Sequence, residues 1–285
     1  MKKLGIALSG GGLRGTAHIG VLESLKNEGL KCHYISGTSA GSIVAACYAS
    51  GISPRSLRNI VFNLTRRDYL DYNWKGLANF VLGIFNRHLN MPEGILAGDR
   101  LQSLIHDITK GKKLNELDMP LAITATDLDE GKRVLFTNMP IEMEDGDTIV
   151  INDAYVSEAV RASSSIPVVF RPYLLNDRRL VDGGLKDMVP VRVLRVMGAD
   201  YVVGVDLQAG LFENKVKHLD EIVTRSIDIV LRQTSIVDEK DLADMIIYPS
   251  VQHMGLGEID KVKECIDIGR RAMQKNLQQL KNGLK

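Results

Sequence analysis

The sequence predicts an α/β fold: a three-layer α/β/α sandwich around a mainly parallel central sheet. Three observations carry this expectation. Strand-like apolar runs alternate with helical patterns along the chain. The runs are almost continuously apolar, as strands covered on both faces are. The first two runs each end in a glycine-rich turn that opens a helix.

The elements follow in order. "LGIAL" (4–8) reads as the first strand, followed by glycines and a helix from about Thr16 to Glu28. "CHYIS" (32–36) is the second strand, and "AGSIVAACYAS" the helix after it. Ser53 and Pro54 mark a helix start, with serine as N-cap and proline at the first helical position. Further strands are expected at 120–128, 133–138, 201–207 and 245–250, and helices at 153–163, 190–198, 219–238 and 259–281. Asn152 and Asp153 are candidate caps for the helix at 153–163, and Pro190 opens the next. Repeats, low-complexity stretches and linkers rich in Pro, Gly or Ser are absent, so one domain over 1–285 is expected. The irregular stretch 68–98 reads as an insertion or lid, and 219–285 as a helical C-terminal region.

Composition removes several function classes. The chain has 285 residues and a net charge of +1, so no global field recruits nucleic acid. Cys32, Cys47 and Cys265 are scattered without metal-ligand spacing and read as reduced, buried thiols in a cytoplasmic protein. No apolar run reaches the roughly 18 residues a bilayer span needs. The opening "MKKLGIALSGGG" reads as a strand entering a glycine loop rather than a signal peptide. Nothing in the sequence specifies an oligomeric state.

"SGGGLRG" (9–15) contains Gly10-x-Gly12-x-x-Gly15, which matches the dinucleotide fingerprint. That fingerprint wants an acid at the end of the second strand, and none stands there. A P-loop is excluded, because no Lys-Ser or Lys-Thr follows the glycines. The remaining use is an anion cradle, in which converging N–H groups and a helix N-terminus face an oxyanion. Arg14 steadies such a loop or adds charge to it.

"GTSAG" (37–41) has the G-x-S-x-G form of a nucleophile elbow, with Ser39 between Gly37 and Gly41. A serine hydroxyl needs a base. His18, His33, His88, His106 and His218 sit in expected elements or the middle region, and only His253 is a late loop histidine. Asp182, in "RRLVDGGLKDMVP", ends a strand-like run and is left uncovered by the two glycines after it. A carboxylate there acts as base if burial raises its pKa from about 3.9. An aspartate in an ordinary Asp-Gly turn is the competing reading.

"GGGLRG" (10–15), "GTSAGS" (37–42) and "DGG" (182–184) stand in that order. Together they resemble the patatin-like phospholipase family, in particular its compact bacterial members. "ATDLDEGKRVLF" (125–136) and "RASSSIPVVFRP" (161–172) also look like segments of that family, so the likeness runs from about residue 3 to about 207. The resemblance implies a modified α/β-hydrolase with a Ser-Asp dyad cleaving acyl esters of lipids. It makes Ser39 the nucleophile, Asp182 the base, and the loop of Gly10, Gly11, Gly12 and Arg14 the oxyanion hole. Arg14 stands at the family's basic loop position.

No metal or cofactor is expected. Asp127-x-Asp129-x-Gly131 lacks the later ligands of a calcium loop and reads as a strand end and turn. Leu77, Phe80, Val81, Ile84 and Phe85 fall on one helical face, after Trp74 and flanked by Lys75 and Arg87. Such a stripe is core packing more often than a lid or an interfacial anchor touching a membrane surface. The function expected is a serine esterase of phospholipase A or lysophospholipase type. A non-catalytic regulator that binds acyl ligands, a transacylase and a dinucleotide-binding oxidoreductase are the alternatives.

Overall fold

A computed structural model describes residues 2–76, 78, 91–207, 216, 222, 225, 226, 229, 241–255 and 257–285. Among them the strands, in chain order, are β1 (Leu4–Leu8), β2 (Cys32–Thr38), β3 (Gly94–Leu96), β4 (Leu121–Asp127), β5 (Arg133–Thr137), β6 (Thr148–Ile151), β7 (Val168–Phe170), β8 (Tyr173–Leu175), β9 (Arg178–Asp182), β10 (Tyr201–Val205) and β11 (Met245–Ile247).

The main sheet runs β11-β10-β1-β2-β4-β5-β6, with β9 joining β4 and β8 joining β9. From β11 to β4 every pairing is parallel. β5 turns back antiparallel on β4, because only the short turn between Asp127 and Arg133 connects them.

Alternate side chains feed two cores, which is why the strands read as unbroken apolar runs. Leu4, Ile6 and Leu8 of β1 pack on one face with Ile19, Leu22 and Ile266. Ala7 points the other way, toward Val191 and Leu194. Leu121, Ile123 and Ala125 of β4 join the first core and Ala122 the second. The helices Ala17–Asn27 and Val262–Gly283 cover one face, and the helix Val191–Val196 covers the other. This is the three-layer arrangement expected of the sequence.

Several boundaries move. The expected strands at 201–207 and 245–250 shorten to β10 and β11. The helix expected at 153–163 begins at Val156, so Asn152 and Asp153 do not cap it. Asn152 instead donates to the carbonyls of Thr137 and Met139, and Asp153 pairs with Lys113. The Tyr155 N–H at the true start donates to Glu158 at 2.8 Å. Ser53 does cap its helix, accepting from the Ser56 N–H at 3.1 Å.

In the stretch 68–98, β3 pairs with β7, and Tyr72 bridges to Leu96. The apolar stripe Leu77, Phe80, Val81, Ile84 and Phe85, with Arg87, lies outside the described residues, as does most of the expected helix at 219–238. No helix among the described residues is long and apolar enough to cross a membrane.

Candidate active site

The site is built at a strand junction. β2 pairs with β4 as far as Thr38 opposite Thr124. β9 pairs with β4 from Leu180 to Asp182, with Asp182 opposite Ala125. Ala125 also pairs with Val134 of β5, so the other edge of β4 is already taken. β9 therefore lies on the edge that β2 occupies one rung earlier. The two strands meet end to end along β4, and the meeting point is Ser39 and Asp182.

Ser39 turns the chain sharply from β2 into the helix Ala40–Ala49, with φ 52° and ψ −123°. That backbone is strained for a residue with a side chain, at about 1–3 kcal/mol, and persists only where its surroundings over-determine it. They do so on both sides. The Ser39 N–H donates to Ser163 Oγ at 2.8 Å, and the Ser39 carbonyl accepts from Ser42 Oγ at 2.6 Å and Ser42 N–H at 2.9 Å. Gly41 is required here, since a Cβ on it would stand 2.2 Å from the Leu8 carbonyl oxygen.

Asp182 is 2% exposed. Its Oδ1 accepts the Gly184 N–H at 2.9 Å, which fixes the carboxylate across the DGG turn. Its N–H donates to the Ser165 carbonyl at 2.9 Å. Burial raises its pKa to about 6, while the neighbouring Ser39 hydroxyl and Gly184 N–H pull it back down. Oδ2 accepts no hydrogen bond of normal geometry. The Ser39 hydroxyl is near enough to lower the carboxylate's pKa, and in a free enzyme a hydroxyl and a carboxylate that react together need not yet share a tight hydrogen bond.

The glycine loop reaches the same place. Gly10 lies against Ser39, and Gly11 and Gly12 take positive φ values of 155° and 57°. Gly12 opens the helical turn Gly12–Thr16, whose first N–H groups have no intrahelical acceptor. Arg14 fastens the loop to the chain at Gln252 and Met254. Its Nε donates to the Met254 carbonyl at 2.7 Å and its Nη2 to the Gln252 carbonyl at 3.2 Å. His18 is fully buried, with Nε2 2.8 Å from the Ser9 carbonyl, and burial lowers its pKa to about 4. It is neutral at pH 7 and donates to that carbonyl from beneath the loop.

The other histidines stand apart from this geometry. His253 is half-exposed and faces Glu264 at 3.5 Å. His33 Nδ1 accepts the Leu4 N–H, and His106 stands beside Ser157. His88 and His218 lie outside the described residues. Asp127 closes the turn after β4, accepting the N–H groups of Asp129 and Glu130 and pairing with Arg178. Among the described residues no group of three His, Cys, Asp or Glu could hold a metal.

Sequence reasoning did not single out Ser163, Ser165 or Arg161. They lie in the family-like run "RASSSIPVVFRP" (161–172), and its three adjacent serines at a helix end are the available signal.

A parallel sheet with a serine elbow, a facing buried carboxylate and a glycine turn is the arrangement of the patatin-type modification of the α/β-hydrolase fold. The chain belongs to the patatin-like phospholipase family, whose model matches residues 6–195. It is 29% identical over 206 residues to an NTE family protein of Mycobacterium tuberculosis, covering 72% of this chain and 49% of that protein. It is 24% identical over 204 residues to the lysophospholipase NTE1 of Meyerozyma guilliermondii, covering 72% of this chain and 12% of that one. The chain thus spans about half the length of the mycobacterial relatives it matches. Among solved structures, human GIVD cytosolic phospholipase A2 shares the fold with TM-score 0.53 at 12% identity, over 99% of this chain and 60% of that one. VipD from Legionella pneumophila does so with TM-score 0.51 at 14% identity, over 98% and 67%.

Proposed function

We propose that the protein is a lipid acyl hydrolase of phospholipase A or lysophospholipase type, working through an acyl-enzyme on Ser39 with Asp182 as base. The observation that carries this reading is the end-to-end meeting of β2 and β9 on one edge of β4, which brings a strained serine to a buried carboxylate.

Ser39 Oγ attacks the ester carbonyl while its proton passes to Asp182. The carbonyl oxygen becomes an oxyanion against the N–H groups of Gly10, Gly11 and Gly12, where one good donor is worth about 10²–10³ in rate. The intermediate collapses, the C–O bond to the alcohol breaks, and Asp182 returns the proton to the leaving oxygen. Water then attacks the acyl group and gives a proton to Asp182. Collapse releases the acid, and Ser39 takes the proton back. A base with a pKa near 6 is deprotonated at neutral pH yet strong enough to accept the proton. Exposed Tyr72, Trp74, Met91 and Ile95 support contact with a lipid surface during turnover.

Treatment with a fluorophosphonate, followed by digestion and mass spectrometry, tests the reading. The label is expected on the peptide holding Ser39, and Ser39→Ala is expected to lose both label and ester hydrolysis while folding normally. Folded protein that takes no label at Ser39 would sink the proposal.

A further inference from the structure

We infer that Ser163 is a positioning residue for the Ser39–Asp182 pair, and that Arg161 and Ser165 hold it in place. The inference rests on the acyl-hydrolase reading above.

One short segment carries both partners. Ser163 Oγ accepts the Ser39 N–H at 2.8 Å. Two residues on, the Ser165 carbonyl accepts the Asp182 N–H at 2.9 Å. The backbone of the nucleophile and the backbone of the base therefore hang from the same piece of chain, at the end of the helix Val156–Ser163. The position of that piece sets where both backbones sit, and it does so through hydrogen bonds to main-chain N–H groups.

Arg161 makes the piece rigid. Its guanidinium is buried and makes no ion pair among the described residues. Nη1 donates to Ser165 Oγ, while Nη2 donates to the carbonyls of Ala97 at 2.6 Å and Arg171 at 2.9 Å. The rings of Phe170 and Tyr173 lie 5.4 and 5.8 Å from it. Burial lowers its pKa to about 10, so it stays charged at pH 7. A buried charge without a carboxylate is costly, and here its fork of donors ties three chain segments to one point. Ser165 Oγ also donates to the Arg161 carbonyl at 2.7 Å, which closes the loop. The strained turn at Ser39 gives the anchor its purpose, because that conformation lasts only if its N–H is held.

Ser163→Ala removes the acceptor with the smallest change in volume. The measurements are kcat and KM on a soluble chromogenic acyl ester, the rate of fluorophosphonate labelling at Ser39, and thermal unfolding. The expected result is kcat and labelling rate both lower by about tenfold or more, KM within about twofold, and cooperative unfolding retained. If that variant does not fold, Ser165→Ala takes its place: it keeps the carbonyl that holds Asp182 and loses only the Arg161 contact. A smaller fall in kcat at constant KM is then expected. Wild-type protein that labels at Ser39, beside a folded Ser163→Ala that labels and turns over equally well, overturns this inference alone. The same holds for a loss confined to KM. Wild-type protein that does not label overturns the acyl-hydrolase reading and this inference with it.

Discussion

Gly10 lies directly against Ser39: a Cβ added to the glycine would stand 3.1 Å from the Cβ of the serine and 2.8 Å from Met188 Sδ. The N-terminal loop and the elbow are one surface. Gly10→Ala is therefore expected to push the loop off the elbow and lower kcat by about 10²–10³, the scale of one lost oxyanion donor. KM should change little, since the ground-state ester is not held there. Steady-state kinetics on a chromogenic ester check this, and a variant with wild-type kcat would remove the loop from the reaction.

With Asp182 as the proposed base, its ionisation governs the expected pH profile. Its pKa of about 6 comes from burial, so the ionised base disappears below that value. The rate constant kcat/KM is expected to fall about tenfold per pH unit below about 6 and to level off above it. A limb centred near 4 would show that the acting base is an ordinary exposed carboxylate.

The same group costs stability. Its folded pKa is raised above the unfolded value of 3.8, so its contribution is fully favourable below 3.8 and is lost as pH rises through about 6. Asp182→Asn should then be more stable than the wild type at pH 8, on the order of 3 kcal/mol at most, with the difference gone by pH 3.5. Denaturant titrations at the two pH values measure it. The variant should also lose ester hydrolysis by about 10³-fold or more.

His18 acts in the opposite direction. Its folded pKa of about 4 lies below the usual 6.5, so its contribution is present above 6.5 and is lost as pH falls toward 4. His18→Gln should flatten the stability curve between those limits, by a few kcal/mol at most. The comparison is cleanest in the Asp182→Asn background, where the opposing trend between 3.8 and 6 is absent. An unchanged curve would mean that folding leaves the pKa of the ring where it is in the unfolded chain.

His253 pairs with Glu264 on the surface. His253→Ala should keep kcat/KM within about twofold of the wild type. A loss of 10³-fold or more would make it the base and displace Asp182.

Much of this was legible in the chain itself. Unbroken apolar runs such as Leu4–Leu8 and Tyr201–Val205, short and bounded by turns, fit strands covered on both faces, because a solvent-facing side would carry polar residues. Gly37-Thr38-Ser39-Ala40-Gly41 marks a turn that backbone sterics force, and Ser53-Pro54 marks a helix start by its own hydrogen bond. These signals are local, so the sequence alone determined the layers and the two glycine turns.

The tertiary structure decided what depends on partners far along the chain. Asn152 reads as a helix cap from its neighbours, yet it bonds the carbonyls of Thr137 and Met139 across the sheet edge. The three-residue strands β3, β7 and β8 carry too few residues for a period to show. Above all, β9 takes the edge of β4 where β2 stops, and Ser163 catches the N–H of Ser39. Which strand pairs where, and which buried donor finds which acceptor, follows from how the whole chain satisfies its backbone at once, and no stretch of residues encodes that by itself.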